Sequence, residues 1–463
     1  MNIGRIIKRN RWDFCCGCSA CFSICPKHCI TMQTDGEGFL YPSVSETVCV
    51  NCGLCEQVCH ELHPYEERKP LTVYAAINKD EDIRLKSSSG GIFYLLAEKT
   101  ILEGGVVFGA RFDDEWQIVI DCAETLEGVN PFMGSKYVQA RIDTAFKDAE
   151  AFLKQGRKVL FSGTPCQITG FRHYLRKEYD NLTTVDFVCH GVPSPKVWKR
   201  YLDEVVTSGK QAINDVKFRD KRAGWKKFNF ALLFNQDEKV HSLCSWHQKN
   251  HYMRAFLFDM ILRPSCHDCR AKRGRSHSDI TIADFWGINM EMPEMDDDKG
   301  TDLVLVNTEK GRRALDWSKV TKKESSLEVV SKYSGTLLSS TMPHPRRTQF
   351  FSNLDASPSV IDLIEKSLRP PFYQRGRLAL RRYKLLLKQI LKKIMGWWSI
   401  IFIKSIPSTY KTSQSDIVPS IPLDAKISAI TFRNKRYGWK SYHMEISFEA
   451  DTKRQSDSTV SHI

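Results

Sequence analysis

Nowhere in its 463 residues does the chain run for the roughly 18 consecutive apolar residues that a membrane-spanning helix requires. A helical membrane bundle is therefore excluded as its architecture. Its first residues, MNIGRIIKRNRW, lack the apolar core of a secretory signal, so a reducing, cytoplasmic setting is expected. No nucleic-acid-binding module is recognisable, and the formal charge of +14 must serve something else. Much of that charge follows Lys366, in RRYKLLLKQILKKIMGWWSIIFIK and in the later RNKR. Such a surface suits an acidic redox partner, a phosphorylated ligand or an anionic membrane. A hydrophobic share of 42% and a charged share of 26% are ordinary for a soluble protein, and the length suggests two or three domains.

Cysteine is not scarce: there are 16. In a reducing compartment they are not read as disulfides. Cys15, Cys18, Cys21 and Cys25 form one C-x2-C-x2-C-x3-C run, and Cys49, Cys52, Cys55 and Cys59 form a second. In two-cluster ferredoxins each such run gives three thiolates to one 4Fe-4S cluster and its fourth to the other. Cluster I is thus predicted on Cys15, Cys18, Cys21 and Cys59, and cluster II on Cys49, Cys52, Cys55 and Cys25. Zinc also binds C-x2-C pairs, but two complete runs in this register favour iron. Pro26 follows the first run as the ferredoxin pattern requires, whereas His60 replaces the second proline and is expected to be a solvated turn residue. Cys16 and Cys29 are spare and are expected to be small buried residues.

Downstream, ELHPYEERKP reads as a linker and LTVYAAINK as a strand. Ser87, Ser88, Ser89, Gly90 and Gly91 then precede an apolar run, the pattern of a loop feeding a helix N-terminus. Such a loop can hold a phosphate, but on this run alone an ordinary N-cap is the favoured reading. GGVVFGARFDD and WQIVIDCA suggest a hairpin. A helix over Ala145 to Leu153, a strand over Val159 to Phe161 and a turn at Gly163 and Thr164 make an α/β unit, with Cys166 at the strand's carboxyl end. A second unit places Cys189 and His190 at a strand end, before a helix from Val197 to Val206. With the C-x2-C pair Cys266 and Cys269, these cysteines could hold a third 4Fe-4S centre, or only the pair binds metal and Cys166 is a redox or packing thiol.

VKFRDKRAGWKKFNFAL, from Val216, is repeated as ITFRNKRYGWKSYHMEI, from Ile430. Each copy reads as strand, basic turn, strand, an internal duplication. Arg219, Lys221 and Trp225 of the first copy could grip an anion and stack a ring, or form a solvated hairpin tip. Between the copies, residues 380–404 form a basic amphipathic helix suited to peripheral membrane contact or to docking on a partner. The expected domains are 1–66, a two-cluster ferredoxin domain; 67–333, an α/β domain with parts 67–150 and 151–333; 334–425, a helical region; 426–450, the second hairpin; and 451–463, a polar tail.

These motifs in this order, SSSGG, GSKYVQ, GTPCQITG, VCHGVPSP, FRDKRAGW, SCHDC and SDITIADFWG, resemble the beta-subunit family of coenzyme F420 hydrogenases and dehydrogenases. The resemblance runs from about Cys15 to Gly287. It implies an α+β and α/β multidomain protein, a bacterial ferredoxin-like domain followed by an α/β flavoprotein-type domain holding FAD. It also implies hydride exchange between the flavin and a small organic acceptor, with a ferredoxin-like carrier as redox partner. The resemblance makes Ser87 to Gly91, Gly163, Thr164, Arg219, Lys221 and Trp225 candidates to hold flavin or substrate. It strengthens Cys166, Cys189, Cys266 and Cys269 as ligands of a third cluster. His190 and Lys221 are the candidate catalytic groups, His190 as a proton donor or else a structural histidine. The alternative is an electron-transfer subunit that has no substrate and relays electrons to a partner enzyme. The ferredoxin module and basic tail depart from family members that work in larger complexes, so the resemblance specifies a reaction type and not a substrate.

Overall fold

The structure, a computed structural model, describes residues 14–206, 212–236, 239–370, 427–433 and 443–448. The amphipathic segment 380–404 and the polar tail lie outside the described residues. The chain divides into two compact units, Met1–Pro370 and Pro371–Ile463.

Near the start, two short helices, Ala20–Ile24 and Leu54–Gln57, flank an antiparallel pair, β1 (Ile30–Thr34) and β2 (Leu40–Val44). Each helix is entered through a left-handed residue, Ser19 at φ 62° and Gly53 at φ 75°. Each sits inside one of the four-cysteine runs, which repeat the same turn-and-helix geometry.

The remaining strands of the first unit are β3 (Thr72–Asn78), β4 (Val106–Phe112), β5 (Ile118–Ala123), β6 (Val159–Gly163), β7 (Leu182–Phe187), β8 (Ile213–Asp220), β9 (Asn229–Gln236), β10 (Lys239–Trp246), β11 (Ile280–Asp284), β12 (Asp302–Val306) and β13 (Val320–Ser325). Eight make one mixed sheet in the order β13-β3-β12-β11-β7-β6-β4-β5. Its centre, β4, β6, β7 and β11, is parallel, and β3, β5, β12 and β13 join antiparallel. Side chains alternate between its faces with the period of two that a strand imposes. Phe108 and Phe161 pack with Phe146 and Phe171 on one side, while Val107 and Leu160 pack with Leu96 and Val304 on the other. Both faces are covered, which explains why the central strands read as unbroken apolar runs.

A second sheet, β10-β9-β8, is antiparallel. Helix Pro195–Val205 lies on it, burying Val197, Trp198, Tyr201 and Leu202 at helical spacing, and Phe218, Phe230 and Tyr252 complete that core. Helices Arg347–Ser352 and Val360–Leu368 add Phe350 and Ile364 to the same core, so the chain to Pro370 continues the unit that precedes it. Strands from both expected halves of the α/β region share the large sheet, because β3 pairs with β12 and β13. In the second unit, β14 (Ile427–Arg433) and β15 (His443–Phe448) pair antiparallel, with Phe432 opposite Met444. The duplicated motif thus has two flanking strands in both copies.

Candidate functional site

The cysteines group by spatial neighbourhood. Cys21 has Cys15, Cys59 and then Cys55 as electrostatic neighbours, and Cys18 has Cys21 and Cys59. Cys15, Cys18, Cys21 and Cys59 are the four residues predicted for cluster I. Burial, then the nearness of Cys15, pushes the Cys59 thiol up to about 12. Cys25, Cys49, Cys52 and Cys55 line a second, small pocket together with Cys29, whose sulfur lies 3.3 Å from that of Cys25. Cys52 is exposed.

His60 departs from expectation. It is 1% exposed rather than solvated, and its Nε2 lies 3.1 Å from the Cys16 sulfur. Burial, then the neighbouring His173, lowers its pKa to about 3, so it is a neutral, packed residue.

Cys166, Cys189, Cys266 and Cys269 converge from three separate segments. Cys189 has Cys266, Cys166 and Cys269 among its electrostatic neighbours, and Cys266 has Cys269 and Cys166. Burial first, then the neighbouring Cys166 thiol, pushes Cys269 to about 11, and burial pushes Cys266 to about 12. Crowded buried thiols do not ionise together without a cation, which is what a metal centre supplies. The elements explain the convergence. Thr164 and Gln167 form a capping box that starts helix Pro165–Leu175 at the end of β6, fixing Cys166 in its first turn. Cys189 follows β7, the Val192 N–H donates to the Cys266 sulfur at 3.4 Å, and the Cys269 N–H donates to Ser340 Oγ at 2.9 Å.

Helix Pro165–Leu175 also touches the N-terminal module. A Cβ on Gly170 would stand 2.7 Å from the Cys18 sulfur. Cys16 is flanked by Cys18 on one side and Cys166 on the other. The first and third cysteine sets are therefore neighbours.

A cavity of about 980 Å³ opens beside the third set, with Cys189 in its wall. That volume lies at the upper end of the roughly 300–1,000 Å³ range of cofactor and ligand sites. Ser87, Ser88, Ser89, Gly91, Gly163, Thr164, His190 and Arg219 line it. Gly90, Lys221 and Trp225 do not. Gly90 packs where a Cβ would meet Ala76 O at 2.5 Å, and Lys221 Nζ donates to the carbonyls of Arg84, Ser89 and Lys299 at 2.7, 3.0 and 2.7 Å. Lys221 thus braces the serine loop from behind. Trp225 is buried, stacks on Trp286 at 4.9 Å and donates from Nε1 to Asp284 at 2.8 Å. Trp286, which the sequence pattern did not single out, presents the ring to the cavity.

The serine loop ends at the start of helix Ile92–Leu102, whose Ile92 N–H donates to the Asp302 carboxylate at 2.9 Å. That helix N-terminus already holds an internal anion. Ser88 Oγ accepts from the Ser135 N–H at 2.6 Å, tying the loop to the GSKYVQ segment. Arg219 is buried and paired with Asp284, with its guanidinium over the rings of Phe228 and Trp286. Its Nε and Nη2 have no hydrogen-bond partner among the described residues. Lys136, which also went unmarked in the sequence, donates to the Met133 and Gly134 carbonyls at 3.1 Å each, and burial lowers its pKa to about 7. His190 Nε2 lies 2.7 Å from Asp259.

Residues 156–329 match the family described as the C-terminal part of the beta subunit of coenzyme F420 hydrogenase/dehydrogenase. Over those residues, which are less than half of the chain, it is similar to that family. The matched segment contains all four cysteines of the third set together with His190, Arg219 and Trp286. Ser87 to Gly91, Lys136 and the two N-terminal runs precede it. A solved structure with which the chain has similarity is the F420-reducing NiFe hydrogenase complex from Methanosarcina barkeri. The identity is 18% and the TM-score 0.41, over 63% of this chain and 95% of that one. No curated protein matches the chain. Among the described residues, no helix is long and apolar enough to cross a membrane.

Proposed function

We propose that the protein is an iron-sulfur flavoprotein oxidoreductase that moves electrons between a one-electron carrier protein and an organic hydride acceptor or donor. The observation that carries this reading is the placement of Cys189, one of four converging cysteines, in the wall of the large cavity. Two N-terminal cysteine sets and a third beside the cavity would hold three 4Fe-4S clusters, and the third would lie against whatever the cavity binds. A flavin there would supply the exchange between single electrons and a hydride.

The cavity suits such a guest. Its wall offers apolar area at Ala110, Ile118 and Phe132, a ring at Trp286, and two cations, Lys136 and Arg219, that still have donor capacity. Those cations would receive a phosphate, a carboxylate or the electron-rich edge of a reduced ring. His190, oriented by Asp259, would donate or accept a proton at the same wall. A relay subunit without a substrate has no use for a cavity of this size, so the catalytic reading is preferred.

Anaerobic purification with iron, sulfide and flavin analysis tests this function. About 12 irons per chain and near-stoichiometric flavin after reconstitution with FAD are expected. About 8 irons would remove the third centre, and absence of flavin binding would remove the catalytic reading.

A further inference from the structure

Arg263 is a buried cation with no anion among its described hydrogen-bond partners, and the carboxyl among its electrostatic neighbours, Glu61, is itself pushed up to about 7 by burial. It is 0% exposed, and its three hydrogen bonds end on neutral oxygens: Cys15 O at 2.8 Å, Leu40 O at 2.9 Å and Gln139 Oε1 at 3.0 Å. Its guanidinium carbon lies 4.1 Å from the ring centre of Tyr41 and 5.4 Å from that of Phe39. None of its hydrogen-bond partners among the described residues carries charge. Enclosing a charge in a protein interior is unfavourable unless an opposite charge offsets it. The thiols around Arg263 can supply that charge: Cys15 and Cys266 are both its electrostatic neighbours.

Those two cysteines belong to different sets, so the cation sits at the junction of two candidate clusters. The cradle is built for it. Gly17 adopts φ +69°, and a Cβ there would stand 2.9 Å from Arg263 Nη1, from Gln139 Nε2 and from Leu40 O. Gly17 lies between Cys15 and Cys18, and Arg263 lies three residues before Cys266. The two ligand runs and the cation are therefore placed by the same short segments.

We propose that Arg263 is the shared counter-charge of the cluster on Cys15, Cys18, Cys21 and Cys59 and the cluster on Cys166, Cys189, Cys266 and Cys269. In this role it raises the reduction potential of both above that of the Cys25, Cys49, Cys52 and Cys55 cluster, so that electrons entering at that cluster are drawn toward the pair. The inference rests on the three-cluster reading above. A fixed positive charge stabilises the more negative, reduced form of a cluster, and charge near the sulfurs is one of the terms that set cluster potential. The step is a transfer of one electron, lost by the first cluster and gained by the second, with no bond made or broken. The electron originates from a reduced one-electron carrier protein of the ferredoxin class. Arg263 is a positioning residue and is always charged, so its effect does not depend on pH.

The test is an anaerobic redox titration of the full-length, reconstituted protein, followed by electron paramagnetic resonance. It uses wild type, Arg263→Gln, Arg263→Lys and Gln139→Glu. The last keeps the arginine and neutralises it in place, which covers the event that Arg263→Gln does not fold. Arg263→Gln and Gln139→Glu are expected to shift two of the three midpoints downward and leave the Cys25, Cys49, Cys52 and Cys55 cluster unmoved. Arg263→Lys is expected to return both midpoints toward wild type. Unchanged midpoints in both charge-altering variants, with about 12 irons retained, would overturn the inference, as would an equal shift of all three clusters. Wild-type protein with about 8 irons would instead overturn the three-cluster reading on which it rests.

Discussion

Lys136 concentrates the residue-scale chemistry of the cavity. Its ammonium has two carbonyls as hydrogen-bond partners, and burial lowers its pKa from 10.5 to about 7. An anionic guest should therefore bind more weakly as pH rises through about 7, where the charge is lost. Fluorescence titration with FAD between roughly pH 6 and 8.5 checks this, and Lys136→Met should lower affinity about tenfold at the acid end and flatten the profile. Stability carries the opposite sign. The unfolded chain keeps this proton up to about 10.5 and the folded chain loses it near 7, so stability from this group rises with pH across that window. Denaturant titrations of Lys136→Met should lack that rise. The GSKYVQ motif drew notice in the sequence, yet its lysine did not stand out, because isolation from carboxylates is a property of the folded wall. Arg263 and His60 were hidden for the same reason: a single arginine, or a histidine in place of a proline, reads as surface until the packing around it is known. The thiol ligand sets were the opposite case. The spacing put Cys15, Cys18, Cys21 and Cys59 in one expected set, and the fold brings the four together.

At the scale of elements, helix Pro165–Leu175 joins three parts of the site. Its capped first turn fixes Cys166, its body packs Ile168 and Phe171 into the large sheet's core, and Gly170 lets Cys18 approach. Gly170→Ala should force the N-terminal module away from the helix. A loss of about 1–3 kcal/mol is expected from overpacking, read as a lower melting temperature, together with loss of about 4 irons per chain. Retention of all iron would show that the module yields without releasing its cluster. The strands and helices on either side of this one were legible from apolar runs ending at glycine, proline or cysteine. β12 and β13 were not. DLVLV is five buried residues, too short to separate from a buried helix turn by pattern, and VTKKES is an edge strand whose lysines and glutamate read as loop.

For the whole molecule, every predicted cluster ligand and the cavity lie within Met1–Pro370. A chain ending at Pro370 should therefore retain about 12 irons and its flavin affinity. Iron loss on truncation would assign a part in the site to the chain after Pro370. The order of strands has a further consequence, for how the protein is made. β3 is synthesised early, but both of its partners, β12 and β13, come more than 200 residues later. Pairing over such a separation is slow, and the waiting strand offers unsatisfied edges to other chains. The two N-terminal cysteine runs are complete by Cys59 and could receive iron while translation continues. The third set is complete only at Cys269 and the cavity wall only at Thr341. Cofactors proposed for these sites would be taken up later than iron at the N-terminal runs, and starving cells of iron should yield protein loaded at its N-terminus first.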